Sequence, residues 1–240
     1  MIPLAIFLEN ARKAWNFSLD AAWDQNRRHP ELSRGRCLRE RSFLRTLLGS
    51  DQVPVFGHAC VLADSVTEKE EMDQLLPQVL QWMEKQYPPP DDHPEFEPGR
   101  SFRYGLNEQH FCYLHIRNAK QPESFLEYPE YVADDLRYIM DKAEQEDSCD
   151  TLYTASWLNS LPAFLRFFPR EWTMNLSSPP DGDFGPTLGW QGQFINRAGL
   201  LNEAAAAKFL RTGILPYARL ESHCSFESVR RHLNFLERNA

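Results

Sequence analysis

Apolar residues recur at Leu4, Phe7, Leu8, Ala11, Trp15, Leu19, Ala22 and Trp23. Steps of three and four place them on one side of a 3.6-residue turn, so an amphipathic helix is predicted over residues 4–25. Leu38, Phe43, Leu44, Leu47 and Leu48 make a second stripe over 36–49, with Gly49 as its stop. Val53–Phe56 and Ala59–Leu62 read as a short extended or buried stretch between Asp51 and Ala63. Thr67 is placed to cap a helix over 68–86, with Glu70 as capping-box partner. Met72, Leu75, Leu76, Val79, Leu80 and Met83 form its apolar face.

The pattern stops between Tyr87 and Gly99, where five of 13 residues are proline. Each proline fixes φ and removes a donor, so neither helix nor central strand is expected. A stiff polyproline-like linker or exposed loop fits. The main boundary falls there, between a helical N-terminal region over 1–87 and an α/β domain over 100–240. Beyond it, Ser101–Leu106 and His110–Arg117 predict two strands. Val132, Leu136, Ile139, Met140 and Ala143 define a helix over 131–143. Leu152–Leu158 reads as a buried strand and Leu161–Phe168 as a short helix ended by Pro169. Trp172–Leu176 and Gly189–Ile195 read as strands, with a polar loop over 177–189 between them. Asn202 caps a helix over 203–211 that Gly213 closes, and Ser225 caps a last helix over 226–238. The fold class is α+β: a helical N-terminal part, then a mixed sheet of about four to six strands with flanking helices.

Composition narrows the function. The chain of 240 residues is 42% hydrophobic and 25% charged, enough for one large domain or two small ones without covalent staples. Its net charge of −8 disfavours a duplex-DNA binder, and no nucleic-acid partner is expected. Residues 1–50 hold nine Lys/Arg against five Asp/Glu, residues 51–150 eight against 22, and residues 151–240 nine against seven. Either the acidic middle is a solvated face, or the two basic ends line a site for an anion. Twenty of the 26 basic residues are Arg, which suits forked recognition of carboxylate or phosphate. Cys37, Cys60, Cys112, Cys149 and Cys224 form no CxxC pair, which points to free thiols in a reducing cytoplasm. The apolar start, Met1 to Leu8, is too short to span a membrane and lacks a basic flank, so no membrane partner is expected. GxxxxGK, GxGxxG, G-x-S-x-G and H-E-x-x-H are all missing.

Four polar clusters remain. His115 and Arg117 share a strand face, and Arg117 precedes a loop carrying Lys120; the pair is either solvated or an anion site. Ser156 and Asn159 end an apolar strand, where open sheets place ligands, unless they only shape a turn. Gln191 and Gln193 share a face opposite Trp190 and Phe194, with Arg197 at the exit. Amides there are either exposed or built to bind something. His223 and Cys224 are neighbours that point opposite ways on a strand, so a capping turn is expected there and no metal site.

The run Tyr113-Leu-His-Ile-Arg117, a helix, then Ser156-Trp-Leu158 and Leu161-Pro162 resembles the C-terminal GNAT-like acyltransferase domain of some uncharacterised bacterial proteins. There an L-H-I-P strand precedes a helix and an S-W-L-L strand. Gln193-Phe194, and Leu201 followed by Phe209-Leu-Arg-Thr-Gly213, are similar to that domain's closing strand and helix. The likeness runs over residues 113–217. It implies a GNAT-like mixed sheet and a small-molecule transferase, with N-acyl transfer from a coenzyme A thioester. In that reading Arg117 and Lys120 hold the anionic cofactor, joined by Trp190, Gln191, Gln193 and Arg197. Ser156 and Asn159 lie near the reacting carbonyl, and His115 or His223 accepts the proton. The strands over 152–158 and 189–195 are then neighbours whose polar ends share a cleft with Arg117. One departure stands out. Such enzymes carry a glycine turn whose amides cradle pyrophosphate at a helix N-terminus. The matching stretch, Arg117-Asn-Ala-Lys-Gln-Pro122, has no glycine. The alternative is a non-catalytic ligand-binding or protein-interaction module that retains the fold, with the Arg-rich helices of residues 12–45 as a partner surface.

Overall fold

The structure, a computed structural model, describes residues 2–88, 96–180, 182–184 and 188–239. Helix α1 (Leu4–Arg28) follows the apolar stripe and continues past it, burying Trp15, Leu19 and Ala22. Arg27 and Arg28 in its last turn complement the negative end of the helix and both pair with Asp24. The single helix expected over 36–49 is two, α2 (Arg34–Glu40) and α3 (Leu44–Leu48). The break has a local cause. The Ser42 hydroxyl donates to the Leu38 carbonyl and accepts from the Leu44 amide, competing with the helical ladder. The extended reading of 53–63 is also corrected: Pro54 opens helix α4 (Pro54–Ser65). Proline is pre-set for the first helical turn, and a short apolar run cannot by itself tell strand from buried helix. Helix α2 crosses α4 closely, because a Cβ on Gly35 would lie 2.2 Å from the Cys60 carbonyl oxygen. The cap expected at Thr67 is made by Glu68, whose side chain and that of Glu71 cap each other's backbone. A 3₁₀ turn (Lys69–Leu75) then leads into α5 (Leu76–Lys85). Pro77, with no N–H to give, keeps the two from merging into one α-helix.

Much of the Pro-rich stretch, residues 89–95, lies outside the described residues, as do 181 and 185–187 of the polar loop. Strands β1 (Phe102–Leu106) and β2 (Cys112–Ile116) form the expected hairpin. Helix α6 (Pro129–Asp147) crosses over to β3 (Thr151–Ser156), which runs parallel to β2. The chain leaves β3 at Ser156, whose hydroxyl accepts from the Leu158 amide, and residues 157–160 form a 3₁₀ turn. Trp157, read as a buried strand residue, is therefore half-buried and stacks on Tyr217. Two short helices follow, α7 (Pro162–Leu165) and α8 (Arg170–Met174). The strand expected over 172–176 is thus largely helix, because Pro169 and Glu171 favour a helix start. The strand expected over 189–195 is a 3₁₀ turn over 188–194. Asn202 caps α9 (Glu203–Thr212), accepting from the Ala205 amide, and Gly213 ends it at φ 69°. Leu220–Ser225 is β4, antiparallel to β3, where a capping turn was expected; only its last residue, Ser225, caps α10 (Phe226–Arg238). The result is an α+β fold with a mixed sheet in the order β1-β2-β3-β4.

The chain divides into two units. The first holds residues 1–91, 184–196 and 200–216 and is helical; the second holds 92–183, 197–199 and 217–240 and contains the sheet. Residues 184–196 and 200–216 lie beyond the Pro-rich stretch in sequence, yet they supply rings to the helical unit's core. Phe194 lies 5.0 Å from Phe17, 5.6 Å from Phe209 and 6.2 Å from Trp190 between ring centres. In the second unit α6 and α10 cover one face of the sheet, packing Leu136, Met140, Val229 and Leu233 against Leu114, Leu152 and Cys224.

All five cysteines are buried and free. Burial pushes the Cys37 and Cys60 thiols up to about 11 and those of Cys112 and Cys224 up to about 12. A raised thiol pKa keeps the nucleophilic thiolate scarce at neutral and mildly alkaline pH. Native protein at pH 8 should therefore react slowly with a colorimetric thiol reagent at all five positions and fully once denatured. A thiol that reacts in the native protein as fast as free cysteine would contradict this packing.

Candidate functional site

Alternation along the strands sorts their side chains. Cys112 and Leu114 point into the helix-covered core, so Tyr113 and His115 point the other way. The β1–β2 register sets Arg103 and Gly105 beside them, and the β2–β3 register sets Tyr153 beside Tyr113. The β3–β4 register adds His223 beside Tyr153 and Glu221 beside Ala155. The rings form a run of three and a separate pair. Tyr113 lies 4.7 Å from His115 and 5.2 Å from Tyr153, and Phe111 stacks on His223 at 5.8 Å. Gly105 lies against the imidazole: a Cβ there would stand 3.4 Å from His115 Nε2, an ordinary van der Waals contact. The Tyr153 hydroxyl donates to Glu221 Oε2 at 2.8 Å, and Ser177 Oγ donates to Glu221 Oε1 at 3.4 Å. Burial and then the neighbouring carboxylate raise the Tyr153 phenol above its ordinary range, so it remains a donor across neutral pH. His223 is exposed, and the other members are half-buried.

The residues singled out from the sequence divide among different tasks. His115 and His223 sit on this ring-bearing face. Ser156 caps the turn after β3. Asn159 is fully buried and fully engaged: its amide donates to the Thr154 and Leu220 carbonyls, and its oxygen accepts from Trp172 Nε1 at 3.0 Å. Arg197 pairs with Glu127 at 2.8 Å. Trp190, Gln191 and Gln193 belong to the helical unit and are buried inside it. Gln191 accepts from the Thr46 hydroxyl, and Gln193 donates to the Trp190 carbonyl at 2.7 Å. Gln193 and Asn159 therefore lie in different units, each within its own interior, which corrects the expectation of one cleft between neighbouring strands. Of the face's members, Tyr113, Tyr153, Phe111 and Glu221 were not singled out. Strand alternation could have found the tyrosines, but Glu221 needs the register of β4.

The loop after β2 tests the coenzyme A expectation. Arg117 Nε donates to the Arg100 carbonyl at 2.8 Å and Nη2 to that of Glu97 at 3.3 Å, while the guanidinium lies over Phe96. Lys120 Nζ stands 4.2 Å from the Tyr131 ring centre. The amides of Lys120 and Phe125 donate to Asn118 Oδ1, and that of Ala119 donates to Ser101 Oγ. The amides of Arg117, Glu123, Glu127 and Tyr128 donate to carbonyls nearby. Helix α6 then begins with Pro129 and Glu130, a residue without an N–H followed by a negative charge. Seven of the amides over residues 117–128 are already bonded and the loop holds no glycine, so the residues present do not fit coenzyme A held in that manner.

Among the described residues, no three His, Cys, Asp or Glu side chains gather to hold a metal ion, and no helix is long and apolar enough to cross a membrane. No protein-family model, curated protein or solved structure matches the chain.

The engaged residues carry a stability prediction. Replacing Asn159 by Ala strands the buried Trp172 N–H and two carbonyls and should cost about 2–4 kcal/mol. Trp190→Ala should cost about 3–5 kcal/mol, the usual range for a buried aromatic. Urea denaturation of both variants measures this; unchanged midpoints would show that neither residue is structural.

Proposed function

We propose that the chain is a non-catalytic ligand-binding protein whose sheet unit holds a small planar molecule against the ring-bearing face. One observation carries this reading: His115, Tyr113 and Tyr153 run in contact across two adjacent central strands, with the Phe111–His223 pair beside them. Aromatic faces take flat heterocycles by stacking, and Glu221 with the two imidazoles would supply polar contacts for orientation. The strand, crossover helix and parallel strand over 112–156 support the resemblance to the GNAT-like domain. N-acyl transfer, the other reading of that resemblance, has less support. Its thioester cofactor lacks a cradle, and Ser156 and Asn159 are spent on the backbone turn. Five cysteines without a disulfide support a reducing compartment, the cytoplasm.

The experiment is a thermal-shift titration with uncharged planar heterocycles, adenosine first, beside acetyl-coenzyme A. Bound ligand raises the melting temperature in proportion to ln(1 + [L]/Kd). Tyr113→Leu and Tyr153→Leu keep apolar bulk and remove the rings. Each should weaken heterocycle binding at least tenfold, consistent with stacking worth about 1–3 kcal/mol per ring, while leaving the unliganded melting temperature nearly unchanged. Release of coenzyme A from acetyl-coenzyme A on adding an amine, lost in His115→Ala, would make the chain a transferase and overturn this reading.

A further inference from the structure

Among the described residues, no strand pairs with the outer edge of β1. The Arg117 amide donates to the Ser101 carbonyl, and the Asn107 amide donates to that of Phe111. In an antiparallel ladder bonded pairs alternate with unbonded ones, so residues 101, 103, 105 and 107 face β2 and residues 102, 104 and 106 face outward. At the start of the strand the Phe102 amide donates to Asp135 Oδ2 at 3.1 Å, outside the β2 ladder. The outward backbone of Tyr104 and Leu106 is left along a groove of about 370 Å³ between β1 and α6.

The groove has a distinct chemistry. Leu106 is 43% exposed, and Ile139 of α6 also lines it. Glu97 is matched by Lys142 at 2.6 Å. Glu146 and Asp147 receive the Tyr104 hydroxyl at 2.9 and 2.7 Å, and among the described residues neither forms an ion pair. They stand in the last turn of α6, which carries no basic residue to offset the negative helix end. The groove lining holds three carboxylates, Glu97, Glu146 and Asp147, against Arg103 and Lys142, an excess of one negative charge beside the strand to which the helix C-terminus adds.

We propose that β1 takes a basic, extended segment of a partner protein as an added strand, seated in this groove. Backbone pairing to Tyr104 and Leu106 supplies affinity, and a lysine or arginine reaching Glu146 and Asp147 supplies selection. A second copy of the same strand would bring like charges together, which disfavours self-pairing. The proposal is independent of the ring-bearing face.

The test uses the full chain and a short peptide of alternating lysine and threonine. Two controls accompany it: the same peptide with glutamate for lysine, and one N-methylated at alternate residues to remove its ladder donors. The lysine peptide should slow hydrogen exchange at the Tyr104 and Leu106 amides, and both controls should fail to do so. The double variant Glu146→Gln, Asp147→Asn should keep its melting temperature and weaken peptide binding at least tenfold. Leu106→Pro, which removes an outward N–H without touching the β2 ladder, should do the same. No binding at millimolar peptide, equal binding of the glutamate peptide, or binding indifferent to the charge variant would each overturn the proposal. So would concentration-dependent dimers that Leu106→Pro abolishes, because they would put a second copy on the edge.

Discussion

A buried carboxylate holds the start of the sheet. Asp135 of α6 is fully buried and accepts from the Ser101 and Phe102 amides at 2.7 and 3.1 Å, with Arg100 Nη1 at 3.4 Å. Burial raises its pKa, and the two amides and the arginine offset that rise only in part. An unpaired charge in that position would be costly, so the strand must begin where these donors are. That choice decides the register of β1 on β2, and a shift of one residue would exchange the two faces of the strand. Phe102 would leave the core and Arg103 would enter it. The outward backbone of Tyr104 and Leu106 and the placement of Gly105 beside Tyr113 both follow from this one anchor.

Asn159 performs the matching task at the other end. It stitches the close of β3, the start of β4 and the indole of Trp172 with one amide group. Between the two anchors, β2 and β3 pair at only two positions, Cys112 with Leu152 and Tyr113 with Tyr153. Further along, the Thr154 hydroxyl bonds the Leu114 carbonyl at 3.0 Å, so a side chain does part of the joining. The tyrosine contact thus sits at one of the two positions where the parallel strands pair, between anchors in the rest of the sheet.

What the sequence disclosed depended on how local each cause was. The stripe of α1, the Asn202 cap of α9, the Ser225 cap of α10 and the β1–β2 hairpin all rest on neighbours within a turn or two, and all were legible. The break between α2 and α3 was local as well, but it turns on one hydroxyl, Ser42, that composition does not distinguish from any other serine. Residues 53–63 and 188–194 are different. Short apolar runs suit strand or buried helix equally, and what decides them is packing against distant partners. Trp190 and Phe194 looked like one face of a strand opposite two glutamines, yet all four side chains are buried among helices. The site was half legible for the same reason: His115 and His223 could be named from their strands, but the contacts that join the rings across strands are set by register.

The discontinuous helical unit bears on how the protein is made. Its aromatic core needs Phe17 and Phe43 from the first part of the chain and Trp190, Phe194 and Phe209 from far beyond. A ribosome releases these residues in order. Helices α1 to α5 therefore emerge with an apolar socket that stays unfilled while the sheet unit's first three strands are being synthesised. During that interval exposed ring-binding surface must be tolerated or shielded, since partly folded chains associate through such patches. The ordinary rule that N-terminal domains finish folding first is suspended here until residues near 210 have left the exit tunnel.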